Sequence, residues 1–253
     1  MSNVHSPSLV VENVTFHYDE DDKILENENL AVHGPGLVTI LGPNGSGKTT
    51  FFKVILGLLK PQTGKIFLNG EEVTGNPVKA GRHAALVPQL TAVRRDLPVT
   101  GAEIIEFVLR SRRQCSGKSC KEKLRELVEI VGAENYYKKK LSEMSGGQLQ
   151  RILIARALAT GSSILLLDEP FSGIDPGGRE YIVDFLRKTS REKLILLTTH
   201  DPVLTINSSK MIVIFNKGVK AYGSPDQIFT LDLLRKAYGS SVLMIERCLH
   251  VVG

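Results

Sequence analysis

Gly42-Pro43-Asn44-Gly45-Ser46-Gly47-Lys48-Thr49 fits the spacing G-x-x-x-x-G-K-[ST]. Glycines at these positions let successive backbone N–H groups curl around phosphate oxygens at the start of a helix, where the dipole is positive. Lys48 would reach the β and γ phosphates of a nucleotide, and the Thr49 hydroxyl would ligate Mg²⁺. Such a loop needs a carboxylate across the sheet. Ile164-Leu165-Leu166-Leu167-Asp168-Glu169 offers two at the end of an apolar run. Asp168 would orient the metal through its water shell, and Glu169 would polarise the attacking water. The competing readings are an accidental glycine-rich turn and an acidic strand end facing solvent. The first loses ground because the loop lies between a buried strand and a helix, the second because the loop is present.

These residues need elements to hold them. Period-two patterns over Leu9 to Tyr18 and Lys65 to Asn69 predict strands at a sheet edge. Leu37 to Leu41 reads as a buried strand that feeds the glycine loop. A helix then follows, with Phe52, Ile55 and Leu59 on one face and Pro61 near its end. From about 90 to 160 the period becomes helical. Thr100 and Glu103 are spaced as a capping box ahead of Ile104, Ile105 and Val108; Leu124, Leu127, Val128 and Val131 mark a second helix; a third begins near Ser145. Strand-like runs return at Ile164 to Asp168, Leu194 to Thr199 and Met211 to Phe215, around a helix bearing Ile182, Phe185 and Leu186. Met211 to Tyr222, turning at Asn216-Lys217-Gly218, reads as a closing hairpin, and Ser224 to Gln227 starts another capped helix. The pattern is α/β with a mostly parallel central sheet and a helical insert.

One further motif carries a resemblance. Ser145-Gly146-Gly147-Gln148 resembles the signature motif of ATP-binding cassette (ABC) ATPases, and almost the whole chain falls in register with that family. By this resemblance Tyr18 stacks on adenine, Gln89 is the lid glutamine, Ser172-Gly173-Ile174-Asp175 is the D-loop and His200 is the switch histidine. The implied ATP site comprises Tyr18, Gly42, Pro43, Asn44, Gly45, Ser46, Gly47, Lys48, Thr49 and Thr50, with Ser145, Gly146, Gly147, Gln148 and Asp175 acting across a dimer seam. Thr49, Gln89 and Asp168 are the implied Mg²⁺ set, and Glu169, His200, Lys48 and Gln89 the implied catalytic set. The implied fold is a P-loop NTPase (RecA-like) core with a parallel sheet, an N-terminal antiparallel β-subdomain and an inserted α-helical subdomain. On that plan 1–89 and 160–230 form the core with its β-subdomain, 90–159 the helical subdomain and 231–253 a C-terminal extension.

The family assigns each signature motif to nucleotide held by another subunit, so the resemblance implies a head-to-tail dimer, expected to be a homodimer, with two shared ATP sites. It also implies an integral membrane permease as receiver of the stroke and an extracytoplasmic substrate-binding protein acting through that permease. The chain departs from the family at Met144, where leucine is usual, and at Phe171, Gly173 and Ile174 of the D-loop region. Val87-Pro88-Gln89 and Asp96-Leu97-Pro98-Val99-Thr100, with Asp168 to Gly173, resemble cassettes that power uptake of metal ions or metal chelates.

Composition sets the outer limits. With 253 residues, 42% hydrophobic, and a net charge of +5, the chain suits a globular protein that tolerates anionic partners without demanding one. No apolar run approaches a membrane span, and the first residues lack the pattern of a secretory signal. The expectation is a cytoplasmic protein, peripheral on the inner face of the membrane. Cys115, Cys120 and Cys248 have neither zinc-knuckle nor disulfide-framework spacing, so reduced thiols are expected. Residues 110 to 125 hold Arg110, Arg112, Arg113, Lys118, Lys121, Lys123 and Arg125 against the single acid Glu122. This is a solvated face or a contact for acidic headgroups or a permease loop. No basic stripe with interleaved aromatics appears, and no nucleic-acid partner is expected. Two rival functions remain: a soluble non-transport cassette acting in cofactor assembly or another macromolecular process, and a phosphate-loop kinase. The kinase would leave Ser145 to Gln148 and His200 without a role.

Overall fold

A computed structural model describes residues 6–19, 23–200, 203–228, 230 and 233–235, and the backbone of 242–245 and 248–251. In chain order the elements are β1 (Ser8–His17), β2 (Lys23–His33), β3 (Gly36–Leu41), α1 (Lys48–Ile55), β4 (Thr63–Leu68), β5 (Glu71–Glu72), α2 (Pro77–His83) and β6 (Ala84–Val87). They continue with α3 (Gly101–Ser111), α4 (Ser119–Ile130), α5 (Gly146–Leu158), β7 (Ile164–Asp168), α6 (Pro176–Thr189), β8 (Leu194–Thr199), β9 (Ser209–Phe215), β10 (Val219–Gly223) and α7 (Pro225–Ile228). A short hairpin, β11 (Val242–Ile245) and β12 (Cys248–Val251), follows; side chains there, and most of 231–253, lie outside the described residues.

Six strands form the central sheet in the order β10-β9-β3-β8-β7-β6, parallel throughout except for β10. Strands β3, β7 and β8 are buried almost end to end, as parallel strands covered on both faces must be. A separate antiparallel sheet, β2-β1-β4-β5, lies over α1, so that Leu9, Val14, Leu25 and Ile66 share one core with Phe51, Phe52 and Ile55. The opposite sheet face packs with α5, α6 and the helices α3 and α4 through Ile105, Leu124, Ile152, Ile182 and Leu197.

β2 and α2 carry no signal in the periodicity above. The first has four consecutive polar residues, Glu26 to Asn29, in its middle, with Asn27 at φ 52°, and these break the period; its apolar residues Leu25, Leu30 and Val32 are buried against the core around α1. The second is held by the Asn76 cap and Pro77 and buries only Ala80. α1 ends at Ile55, short of Leu59, where Gly57 turns the chain at φ 65°. The thiol expectation is corrected: Cys115 and Cys120 form a disulfide. Positive φ values at Arg113 and Gly117 fold the chain back between α3 and α4 and bring the two sulfurs together, which spacing alone did not reveal. Among the described residues no helix is long and apolar enough to cross a membrane.

Candidate functional site

β3 delivers the chain into the glycine loop, and α1 carries it away. Gly45 and Gly47 adopt φ values of 75° and 98°, which L-residues avoid, so the loop can double back beneath its own helix. A Cβ on Gly42 would come within 2.0 Å of the Phe215 carbonyl oxygen, so only glycine lets the loop lie against β9. The Lys217 N–H donates to the Ser46 carbonyl at 2.9 Å and fixes the loop from the other side.

Lys48 is buried within this turn. Its Nζ donates to the Gly42 and Pro43 carbonyls at 2.8 and 3.0 Å and lies 3.4 Å from Glu169 Oε1. Burial pushes the ammonium below the ordinary lysine value; the charges of Glu169 and Asp168 oppose that push without reversing it. Ser46 Oγ, buried beside it, has no hydrogen-bond partner. A buried cation and an orphaned hydroxyl at the start of a helix suit an anion such as phosphate.

β7 brings the carboxylates opposite. Thr49 Oγ1 donates to Asp168 Oδ2 at 2.7 Å, and Thr198 Oγ1 of β8 donates to Asp168 Oδ1 at 2.6 Å. The Glu169 N–H in turn donates to Thr198 Oγ1 at 2.9 Å. Glu169 has a φ of 46°, a left-handed backbone for a non-glycine residue, and this strain aims its carboxylate back into the cradle. One carboxylate oxygen faces Lys48; the other lies 3.0 Å from His200 Nδ1. The resulting cradle, about 360 Å³, is lined by Ile24, residues 44–50, Gln89, Asp168 and Glu169.

The donor set, a hydroxyl and a carboxylate with an amide nearby, consists of hard oxygen ligands. That fits Mg²⁺, which takes one or two carboxylates and completes its shell with water and phosphate. Tyr18 stands beside the cradle, half exposed, with its OH 3.2 Å from Thr50 Oγ1 and its ring held edge-on to Phe16 at 5.1 Å. An exposed ring fixed in this way is a ready stacking platform.

Ser145, Gly146, Gly147 and Gln148 do not line this cradle. Ser145 caps α5 in a reciprocal box with Gln148. The turn of residues 172–175 packs on it: a Cβ on Gly146 would come within 2.6 Å of the Gly173 carbonyl oxygen, and one on Gly147 within 3.3 Å of the Asp175 carboxylate. Asp175 also caps α6 by accepting from the Gly178 N–H at 3.3 Å. Sequence reasoning missed Arg179, whose Nε donates to the Ile174 carbonyl at 2.9 Å and braces this turn. No local pattern singles it out. The site residues therefore fall into two groups, a phosphate cradle and a separate signature patch.

A family model described as "ABC transporter" matches residues 25–172, more than half of the chain. The chain belongs to the ABC transporter family. It is 31% identical over 242 residues to the zinc import ATP-binding protein ZnuC of Wolbachia pipientis, covering 95% of this chain and 92% of that protein. It is 34% identical to the manganese transport system ATP-binding protein MntB of Halalkalibacterium halodurans, covering 96% of each. The dimeric structure of a bacterial ABC transporter cassette aligns with a TM-score of 0.76 at 28% identity, over 86% of this chain and 98% of that one. The fold is the P-loop NTPase cassette, and the chain is an ATP-binding, ATP-hydrolysing ABC subunit that powers transport. The alternative of a non-transport ATPase is not favoured by these relatives.

Proposed function

We propose that this ABC subunit works as a head-to-tail homodimer on the cytoplasmic face of the membrane, driving a permease that takes up a metal ion or metal chelate. The reading rests on one observation. The residues able to hold a triphosphate form one group, while Ser145 to Gln148 and Asp175 form another that does not line the cradle. A second copy turned end for end would set its helix N-terminus, capped by Ser145, against the nucleotide held by Lys48 and Thr49. The cargo class is supported by the zinc and manganese relatives. Residues 1–89 and 160–230 would be the nucleotide-binding core with its β-subdomain, 90–159 the helical subdomain and 231–253 a C-terminal extension.

Within the cradle, Lys48 and the loop amides hold the β and γ phosphates, and Tyr18 stacks on adenine. Thr49, Asp168 and Gln89 would hold Mg²⁺, which when bound neutralises phosphate charge. Glu169 orients the attacking water and accepts its proton, and His200 holds Glu169 in place while facing the γ-phosphate. Positioning and fixed charge do most of the work in phosphoryl transfer.

The stroke needs a receiver. A groove of about 760 Å³ lies between α2, α3 and the end of α5, with the exposed Leu58 and Phe107 in its lining, and it would seat a helix of the permease. A substrate-binding protein would act through that permease. Replacing Glu169 by Gln should stop hydrolysis while leaving ATP binding, so light scattering should record a dimer that forms with ATP and Mg²⁺ and persists. A Glu169→Gln protein that binds ATP yet stays monomeric would overturn the head-to-tail reading.

A further inference from the structure

The turn between α3 and α4 holds a covalent link that nucleotide chemistry does not use. Cys120 is fully buried at the start of α4, whereas Cys115, its disulfide partner, is only half-buried in the turn before it. Gln114 joins this ring to the rest of the subunit. Its Nε2 donates to the Thr160 carbonyl at 3.2 Å, just beyond the end of α5, and its own carbonyl accepts from Lys123 Nζ. Its side chain lies so close to Gly161, itself at φ 74°, that a Cβ there would come within 2.6 Å. Thr160 and Arg112 line the apolar groove, and the Arg112 guanidinium lies against Gly81 of α2. A cross-link in this turn is therefore tied through one side chain to the far end of the helix that Ser145 begins.

We propose that Cys115 and Cys120 are a reversible dithiol–disulfide pair whose oxidation state sets how firmly the end of α5 is held to the groove rim. The half-buried sulfur is the point of attack. A thiolate of a dithiol reductant bonds to Cys115 Sγ, the Cys115–Cys120 bond breaks, and Cys120 leaves as a thiolate that takes a proton. The second thiolate of the reductant then attacks the mixed disulfide and releases Cys115, which takes the other proton. Two electrons pass to the pair, and the reductant ends as a disulfide. Arg112, Arg113, Lys121 and Lys123 flank the ring in sequence and Lys118 lies within it, and a positive surrounding favours the thiolate, the reacting form of a cysteine. Opening the ring returns freedom to the turn and loosens Gln114, Thr160 and the groove wall between them.

The consequence for transport rests on the proposed docking groove, but the switch can be read without it. The whole chain is equilibrated in glutathione buffers of graded ratio, its thiols are alkylated, and amide exchange is followed by mass spectrometry. Cys115 and Cys120 should be protected together under oxidising ratios and freed together by dithiothreitol. On reduction, exchange should rise several-fold both at 114–123 and at 160–161. Cys115→Ser, which leaves the buried Cys120 in place, should exchange at the reduced level in every buffer, and Gln114→Ala should do so at 160–161 even when oxidised. Alkylation of both cysteines under oxidising ratios would overturn the proposal. So would a pair that cycles while 160–161 stays unchanged, because the disulfide would then be a local staple. None of these readouts needs nucleotide, so a failed ATP-dependent dimer would count against the transport mechanism and leave this result intact.

Discussion

Glu169 answers to two partners at once, and its backbone bends to let it. Its φ of 46° turns one oxygen to Lys48 and the other to His200, a pose that a relaxed strand end would not give. Glycine choices nearby obey similar geometry with different outcomes. Gly173 has a φ of 71° with nothing near its missing Cβ, so Gly173→Ala should cost only the left-handed backbone penalty, about 1 kcal/mol. Denaturant midpoints of the isolated subunit should register that loss. Gly146 is the reverse case. Alanine in a helix would ordinarily gain about 1 kcal/mol over glycine, but here its Cβ meets the Gly173 carbonyl oxygen at 2.6 Å. Gly146→Ala should therefore destabilise the subunit, push the signature turn away from residues 172–175 and abolish the ATP-dependent dimer. The glycine loop and the Asp168-Glu169 pair were legible because their chemistry is contiguous in sequence. The strain at Glu169, the orphaned Ser46 hydroxyl and the Arg179 brace were not, since each depends on what the fold brings alongside.

Elements were legible in proportion to how much of their own pattern they bury. β3, β7 and β8 are apolar nearly throughout, and the Thr100–Glu103 box forms as its spacing predicts. β2 escaped because its polar run Glu26 to Asn29 breaks the period, and α2 because it buries only Ala80, too little for a periodic face. α2 is tied to the antiparallel sheet by a polar clip: His83 Nε2 lies 2.8 Å from Glu71 Oε2, and Asn69, within 3.1 Å of His83 Nδ1, donates to Ser163 Oγ at 2.9 Å. The hydrogen bond and charge of His83, with smaller help from Lys79 and Arg82, hold the Glu71 carboxyl below its ordinary 4.5. As pH falls below 4.5 the unfolded chain takes up this proton before the folded one, so the clip's contribution, full above 4.5, is lost as pH drops through the lowered folded value. Glu71→Gln should remove that dependence. In thermal melts from about pH 6 down to about pH 3, the unsubstituted protein should lose more of its Tm than the variant does. Equal acid slopes for the two proteins would show that the clip carries no such linkage.

At the scale of the whole molecule, the proposed docking groove would give the cassette a second working face, and it can be tested apart from the nucleotide site. The groove between α2, α3 and the end of α5 exposes Phe107 at 72% and Leu58 at 57%. Apolar side chains clustered so openly mark a surface made to be covered. The groove was only partly legible in sequence: Ile104 and Val108 carry the helical period of α3, yet they turn toward the groove while Ile105 and Leu109 fill the core. Because Phe107 is already in solvent, Phe107→Asp takes nothing out of the core, and the isolated subunit should keep its Tm and its basal ATPase rate. Against a membrane partner the same change places a carboxylate in an apolar contact. A central aromatic anchor is commonly worth about 2 kcal/mol or more, which corresponds to a loss of roughly 30-fold in affinity. Detergent extracts of cells expressing the tagged subunit should then yield the co-purifying permease with the parent chain and little or none with Phe107→Asp. Recovery of equal permease with both would move the docking surface away from this groove while leaving the nucleotide chemistry untouched.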